Sequence, residues 1–256
     1  PDPALGQFRY YQAANVSNYN AWQTSLTRRL RNGLQFGVNY TWSRSFAYDS
    51  YGDLDLNGVT TQDNNNFRAG YGPTNYDIPS YLSANVVYRL PLDPLSHLGG
   101  RAGKEILGGW QVSTIITASS GSPVNILDGN SSYPADRPDR ANNVSFYLPG
   151  YSNTLRYINP SAFALVPLVS ASGAQIRPGD LSRNLLRGPG MWNIDLGLAK
   201  SFSLWERVRL QIRADAFNSF NHTNLSGLRT NISSSSFGLL TSATARAIQL
   251  GARLTF

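Results

Sequence analysis

The chain has 256 residues, 41% of them hydrophobic, a net charge of +7 at neutral pH and no cysteine. A mildly negative mean hydropathy and the lack of any apolar run of about 18 residues exclude a helical membrane protein. The missing thiols exclude disulfide frameworks, thiolate metal sites and cysteine nucleophiles together. The positive charge does not argue for nucleic acid. Only two lysines occur, Lys104 and Lys200. The arginines are scattered, and several, such as Arg209 and Arg213, stand at alternate strand positions, where a polar lumen or solvated face would place them.

Residues 1–16 show no period and read as loop. From Asn18 a strand begins, with Trp22, Leu26 and Leu30 on one parity and Gln23, Ser25 and Thr27 on the other. Asn32-Gly33 is a strong hairpin-turn signal. The return strand puts Leu34, Phe36, Val38, Tyr40 and Trp42 on one face and Gln35, Gly37, Asn39, Thr41 and Ser43 on the other. Residues 48–77 are polar. A third strand runs from Ser80 to Leu90 and is stopped by Pro91, which has no N–H for a ladder. Residues 91–108 connect it to a fourth strand carrying Trp110, Val112, Thr114, Ile116 and Ala118 on one face. Val87 and Ile115 interrupt the alternation of the third and fourth. Residues 120–190 hold eight of the fourteen prolines and no sustained period. A fifth strand alternates from Trp192 through Ile194, Leu196 and Leu198. After the turn at 203–206, a sixth carries Val208, Leu210, Ile212, Ala214 and Ala216 against Arg209, Gln211, Arg213 and Asp215. Residues 219–244, rich in Ser, Asn and Thr, lead to the terminal strand, where Ile248, Leu250, Ala252, Leu254 and Phe256 oppose Ala247, Gln249, Gly251, Arg253 and Thr255.

The predicted fold is therefore all-β, about seven antiparallel strands in a meander, each with one apolar face. Such alternation gives a transmembrane barrel strand the average hydropathy of a soluble one. The terminal residues Gln249, Gly251, Leu254 and Phe256 resemble the carboxy-terminal insertion signal of bacterial outer-membrane barrels. The connections agree. Short and long ones alternate so that, if Phe256 ends in the periplasm, every short connection is periplasmic and every long one external. Trp22, Trp42 and Trp192 then lie at outer strand ends and Trp110 and Trp205 at or beside periplasmic ones, none of them mid-strand, where amphipathic rings suit an interface. Arg28 and Lys200 have the lipid-facing parity but sit near periplasmic ends, where long cations snorkel. Single-chain bacterial barrels have even strand numbers. An odd count of seven, with the first strand starting outside, implies that residues 1–256 are the carboxy-terminal portion of one larger barrel domain.

Three blocks carry a family resemblance: Asn159-Pro160-Ser161-Ala162-Phe163, Arg183-Asn184-Leu185-Leu186-Arg187-Gly188-Pro189-Gly190, and Asp195-Leu196-Gly197-Leu198-Ala199-Lys200-Ser201-Phe202. With Arg213 to His222 and the terminal strand, they resemble the carboxy-terminal region of TonB-dependent outer-membrane receptors, closest to the Oar-like group with its carboxypeptidase-regulatory-like domain. Ser17 to Ala21 and Tyr40 to Ser43 continue the likeness. The resemblance implies a barrel of 22 strands, plugged by an amino-terminal domain and energised by TonB. Neither the plug nor the TonB-contacting box is in this sequence, so TonB would act through other parts of the protein. The partners implied are outer-membrane lipid, the barrel-assembly machinery and a substrate the sequence does not name; no nucleic acid is expected.

No enzyme is expected. Gly99-Gly100-Arg101-Ala102-Gly103-Lys104 falls one residue short of a phosphate loop, and Glu105 replaces its Ser or Thr. His97 and His222 lack a third group to orient them. Asp195 and Asp215 share their face with Arg209 and Arg213, which favours a charge ladder bracing a lumen over an acid–base pair. Two functions remain open: a wall segment of a transporter, or a surface-binding, adhesin-like module working through residues 120–190. In the latter, Tyr133, Phe146, Tyr147, Tyr151 and Tyr157 would stack on sugars or pack on peptide. No cofactor is expected, with one candidate exception. Asp53-Leu54-Asp55-Leu56-Asn57-Gly58 follows the first half of a calcium loop, with Asp53, Asp55 and Asn57 as oxygen donors and Asp63 as a further ligand. Asn64 stands where the bidentate Glu belongs, and a hydrated external loop accounts for the same residues.

Overall fold

A computed structural model describes residues 16–48, 62–63, 66–92, 100–129, 136–205 and 208–256. Seven long strands form one antiparallel sheet in which each pairs with the next along the chain. They are β1 (Ser17–Arg31), β2 (Leu34–Ala47), β3 (Ser80–Arg89), β4 (Trp110–Ser119), β5 (Met191–Ser203), β6 (Arg209–Phe217) and β7 (Ala247–Thr255). This is the meander that the alternation predicts. β1 and β7 do not pair with each other, so the sheet is open rather than a closed barrel.

The register explains why one pattern persists across all seven strands. Directly opposed residues share a face, and a slip of one position would invert it. The row Leu26, Val38, Ala84, Ile116 and Ile194 crosses five strands, and the row Leu198, Ala214 and Leu250 crosses the last three. The face they build is uncovered. Trp22 is 63% exposed, Ile212 47% and Leu250 76%, and among the described residues no second sheet or helix layer packs on it. Val87 and Ile115 lie on the opposite, polar face, paired with Gln35 and Asn85.

The β1–β2 turn shows how locally the register is set. Asn32 and Gly33 both have positive φ (55° and 78°), as a two-residue type I′ turn requires. A Cβ on Gly33 would lie 2.6 Å from the Arg89 carbonyl oxygen, so conformation and space both demand glycine.

The described parts of three long connections gather at one end of the sheet, and the turn at 32–33, residues 90–92 and 100–109, and residues 204, 205 and 208 lie at the other. The segment 90–109 contains a helix, α1 (Gly100–Leu107), so Gly100 and Gly103 of the phosphate-loop-like run belong to a helix; Gly99 lies outside the described residues. Tryptophans mark both ends. At the long-connection end, Trp22 opposes Trp42, and Trp42 opposes Ser80. The row of Trp192 lies two residues nearer the sheet centre, opposite Ala118. At the other end Trp110 opposes Lys200. The ten steps from Ser80 to Leu90, whose N–H bonds to the Trp110 carbonyl, span about 33 Å along the strand, or about 25 Å at a usual barrel tilt. That is the height of a barrel's apolar band.

Two details differ from expectation. Trp22 and Trp42 are not at strand ends, because β1 and β2 continue five residues past them (Ser17 to Ala21 and Ser43 to Ala47). Gly72–Pro73 adds a short third strand to this projection. And residues 120–190, which show no period, are not structureless: they hold the molecule's hydrophobic core.

Candidate functional site

The core lies off the sheet. Ile126, Ile158, Ala162, Phe163, Leu181, Leu186 and Phe237 form one buried cluster, drawn from residues 120–190 and from the connection between β6 and β7. The two connections therefore fold as one cap. Two-residue ladders pin it: 123–124 with 186–187, 139–140 with 163–164, and 225–226 with 242–243. The segment Asn159 to Phe163 shows how the sequence does this locally. Pro160 begins a 3₁₀ turn with its φ already set. The Asn159 side chain accepts from the Ser161 N–H at 3.1 Å, and the turn delivers Ala162 and Phe163 to the core. Phe163 meets Phe146 at 5.5 Å and Phe237 edge-on at 5.5 Å between ring centres.

The segment Arg183 to Gly188 clamps this cap to the sheet. The Arg183 guanidinium donates to the carbonyls of Ala47 (2.6 Å) and Gly72 (3.3 Å). Asn184 donates to the Pro73 carbonyl (2.8 Å) and to Asn75 (2.8 Å). Arg187 donates to the carbonyls of Asp77 (2.6 Å) and Gly121 (3.2 Å) and pairs with the Asp77 carboxylate. Asp77 is 1% exposed. Its other oxygen accepts from the Ser45 N–H at 2.6 Å, and Arg44 Nε lies 3.5 Å from the first. One buried carboxylate thus joins β2, the connection after it and the cap. Ser43, Ser45 and Ala47 are all buried, so the connections fold over the polar face of the β2 projection.

A second knot joins the cap to β5 and β6. Asn218 and Asn221 adopt positive φ (both 51°), a conformation that asparagine tolerates better than most residues. Asn218 accepts from the His222 N–H (2.9 Å) and donates to the His222 carbonyl (2.9 Å), while its own N–H donates to Asp195 (2.8 Å). Asn224 exchanges two hydrogen bonds with the Trp192 backbone (3.1 and 2.8 Å). The His222 ring stacks on Trp192 at 4.1 Å. His97 lies outside the described residues.

Inside the cap, Asp128 and Asp136 are buried side by side. Burial, then the neighbouring Asp128, push the Asp136 carboxyl up to about 6. Burial and the adjacent Arg183 hold the Arg137 guanidinium down at about 10. Near the cap surface, Arg177 forks onto Asp139 (2.7 and 2.8 Å), and that hydrogen bonding holds the Asp139 carboxyl below its ordinary value. Tyr157 contacts both Tyr147 (5.0 Å) and Tyr151 (4.8 Å); burial and these two neighbours push its hydroxyl up to about 12. Phe146 and Tyr157 both pack against the core, and Tyr133 lies outside the described residues.

On the polar face of the sheet Arg213 pairs with Asp215 at 2.7 Å. Asp215 opposes both Gly197 and Gln249, and Arg209 opposes Ser203 and Thr255. Gly197 is glycine for space: a Cβ there would lie 2.6 Å from the Asp215 carboxylate. Asp195, two positions from Gly197, is held by Asn193 (2.7 Å) and Asn218. On β7 Gly251 opposes Arg213 and Leu254 opposes Leu210, while Phe256 lies beyond the last pair. On the apolar face Lys200 is nearly buried, donating to the Gly108 carbonyl with its ammonium 5.6 Å from the Trp110 ring and 4.9 Å from that of Phe202. Of the candidate calcium ligands, Asp53, Asp55 and Asn57 lie outside the described residues. Asp63 is described and its carbonyl accepts from the Asn66 N–H. No cluster of three His, Cys, Asp or Glu exists among the described residues.

Sequence reasoning did not single out Asp77, and it quoted Asn184 and Asn218 only within the family-resembling blocks, without their roles. Their roles rest largely on contacts 23 to 111 residues away, which no local period reports.

An open meander with one uncovered, largely apolar face, tryptophans at both margins and a cap at one end defines a membrane-barrel wall. The chain belongs to the outer membrane beta barrel domain family, whose model matches residues 1–249. Its place is accordingly the bacterial outer membrane. No curated protein matches the chain, and no solved structure does.

Proposed function

We propose that these strands are wall of a TonB-dependent outer-membrane transporter of the Oar-like kind, moving a substrate through a barrel of 22 strands. The capped end faces outward, since external connections are the long ones. The apolar face meets lipid, and Asp195, Arg209, Arg213 and Asp215 face the lumen. The observation that carries this reading is the cap, which folds over the polar side of the β2 projection instead of standing clear of the wall. A cap so placed narrows an opening and gives a substrate its first contact. The reading includes no catalysis and no resident cofactor. TonB acts through a plug encoded elsewhere in the protein, and the barrel-assembly machinery inserts the terminal strand.

One observation favours the second reading, an adhesin-like module: the Tyr147, Tyr151 and Tyr157 cluster lies near the cap surface and could stack on sugar. The complete coding sequence separates the two most cheaply, because the transporter must also encode a plug and a TonB-contacting box. The functional test is conductance of the full-length protein in a planar bilayer. A transporter gives large steps when mild denaturant loosens the plug, and they vanish on washing. A binding module gives none.

A further inference from the structure

We propose that Arg28 and Arg31, at the short-connection end of β1, form a lipid-facing site for an anionic glycerophospholipid of the inner leaflet. The arginines are scattered along the sequence, but the fold collects their surplus at one rim. Residues 28–31, 89–109, 200–209 and 253–256, which flank or form the short connections, carry ten basic side chains and three acidic ones. The remaining segments carry twelve of each, so the whole net charge of +7 belongs to this end. The backbone turns two of these cations toward lipid. Arg28 opposes Phe36, a residue of the apolar face. An unbroken register would then bring Leu30 opposite Leu34. The register instead shifts between Arg28 and Arg31, and Arg31 takes that place. Directly opposed residues share a face, so the shift exchanges a leucine for an arginine on the apolar side. The row it joins continues through Leu34, Tyr88, Val112 and Leu198. Bulges re-aim side chains in this way.

Depth and chemistry agree on the occupant. Arg31 lies nine residues past Trp22, about 31 Å along the strand or about 23 Å at a usual barrel tilt. That is the far margin of the apolar band. From there the Arg31 guanidinium reaches the headgroup layer directly, and that of Arg28 reaches it by snorkelling. Arg28 is half-buried and Arg31 exposed, and among the described residues neither pairs with a carboxylate. Lys200, on the same face, is already engaged, because its ammonium donates to the Gly108 carbonyl. Planar guanidinium forks suit phosphate oxygens better than an ammonium does. A phosphodiester held by Arg28 and Arg31 would have its acyl chains running over Phe36, Leu26 and Val38, which continue the same exposed face. That continuity selects a lipid over a soluble anion, and the concentrated positive charge selects an anionic headgroup over a zwitterionic one. The leaflet assigned rests on the outward orientation of the capped end, not on transport.

The test uses full-length protein purified from outer membranes in mild detergent and titrated with phosphatidylglycerol, phosphatidylethanolamine and lipid A, bound lipid being counted by native mass spectrometry. The wild type should bind phosphatidylglycerol at least about fivefold more tightly than phosphatidylethanolamine, the factor expected of one cation at an anionic lipid surface. The double variant R28Q/R31Q should abolish that preference. R89Q removes a charge at the same rim but from the polar face, where Arg89 opposes Gln111, and should keep it. Equal binding of the two phospholipids by the wild type overturns the proposal, and this measurement needs no variant to fold. A preference retained in R28Q/R31Q, or lost equally in R89Q, overturns it as well. Lipid A binding more tightly than phosphatidylglycerol, with that advantage lost in R28Q/R31Q, would overturn the inner-leaflet assignment and the orientation together, while leaving transport to the conductance measurement.

Discussion

The buried carboxylates of the cap act in opposite ways. Asp77 is fully paired, and removing it leaves Arg187 facing a site with no counter-charge. Breaking a buried ion pair from one side costs about 3–5 kcal/mol. Asp77→Ala should therefore loosen the cap from β2, seen as faster trypsin cleavage within residues 136–190 while the strands stay resistant; unchanged cleavage would refute this clamp. Asp136 works against the fold at neutral pH. Its folded pKa of about 6 lies above the ordinary 3.8, so the folded state holds a proton that the unfolded chain releases. Stability from this group is fully present below about pH 4 and is lost as pH rises through about 6. Asp136→Asn should thus slow cap proteolysis at pH 7.5 and change it little at pH 4. A variant less stable than wild type at pH 7.5 would contradict this sign.

Among the elements, the terminal strand and the cap make separable predictions. β7 carries Leu250 and Leu254 on its exposed apolar face and, among the described strands, pairs only with β6, so the proposed insertion role can be tested apart from the cap core. Leu254→Asp, or deletion of Phe256, should lower the outer-membrane level of the full-length protein several-fold; normal levels of both would refute the insertion role. Phe163→Ala should do the reverse. It empties the cap core, at about 3–5 kcal/mol for a buried aromatic, and should make the cap protease-sensitive while insertion stays normal. The contrast explains what the sequence could reveal. The strands were legible because a sheet with one uncovered face imposes a period of two on every strand, and Leu34 to Trp42 need only their neighbours to display it. The cap was not. Ile126, Ile158, Phe163, Leu181 and Phe237 meet from positions up to 111 residues apart, through turns whose side chains follow no period. The Arg183 to Gly190 block could be matched to a family but not explained, because its partners Ala47, Gly72 and Asp77 belong to the other side of two strands. The β2 extension past Trp42 was hidden for the same reason: Gly72–Pro73 pairs with it from a distant, polar stretch.

For the molecule as a whole, the apolar face and the cap assign the same orientation. A soluble protein would have to cover Trp22, Ile212 and Leu250, since so large a contiguous apolar surface drives association; lipid removes the need. The chain contains no cysteine, so single cysteines introduced here report without background once any cysteine outside residues 1–256 has been replaced in the full-length protein. The most direct measurement combines two readouts on four sites. Cysteines replacing Ile212 and Leu250 are tagged with a fluorophore and tested for quenching by nitroxide-labelled lipid chains. Cysteines replacing Ser152 and Ser233, both exposed on the cap, are tested with a membrane-impermeant maleimide on intact cells. The account predicts strong lipid quenching at Ile212 and Leu250, and rapid labelling of both cap sites without permeabilising the outer membrane. Water-exposed, unquenched probes at Ile212 and Leu250, or cap sites that label only after permeabilisation, would contradict it.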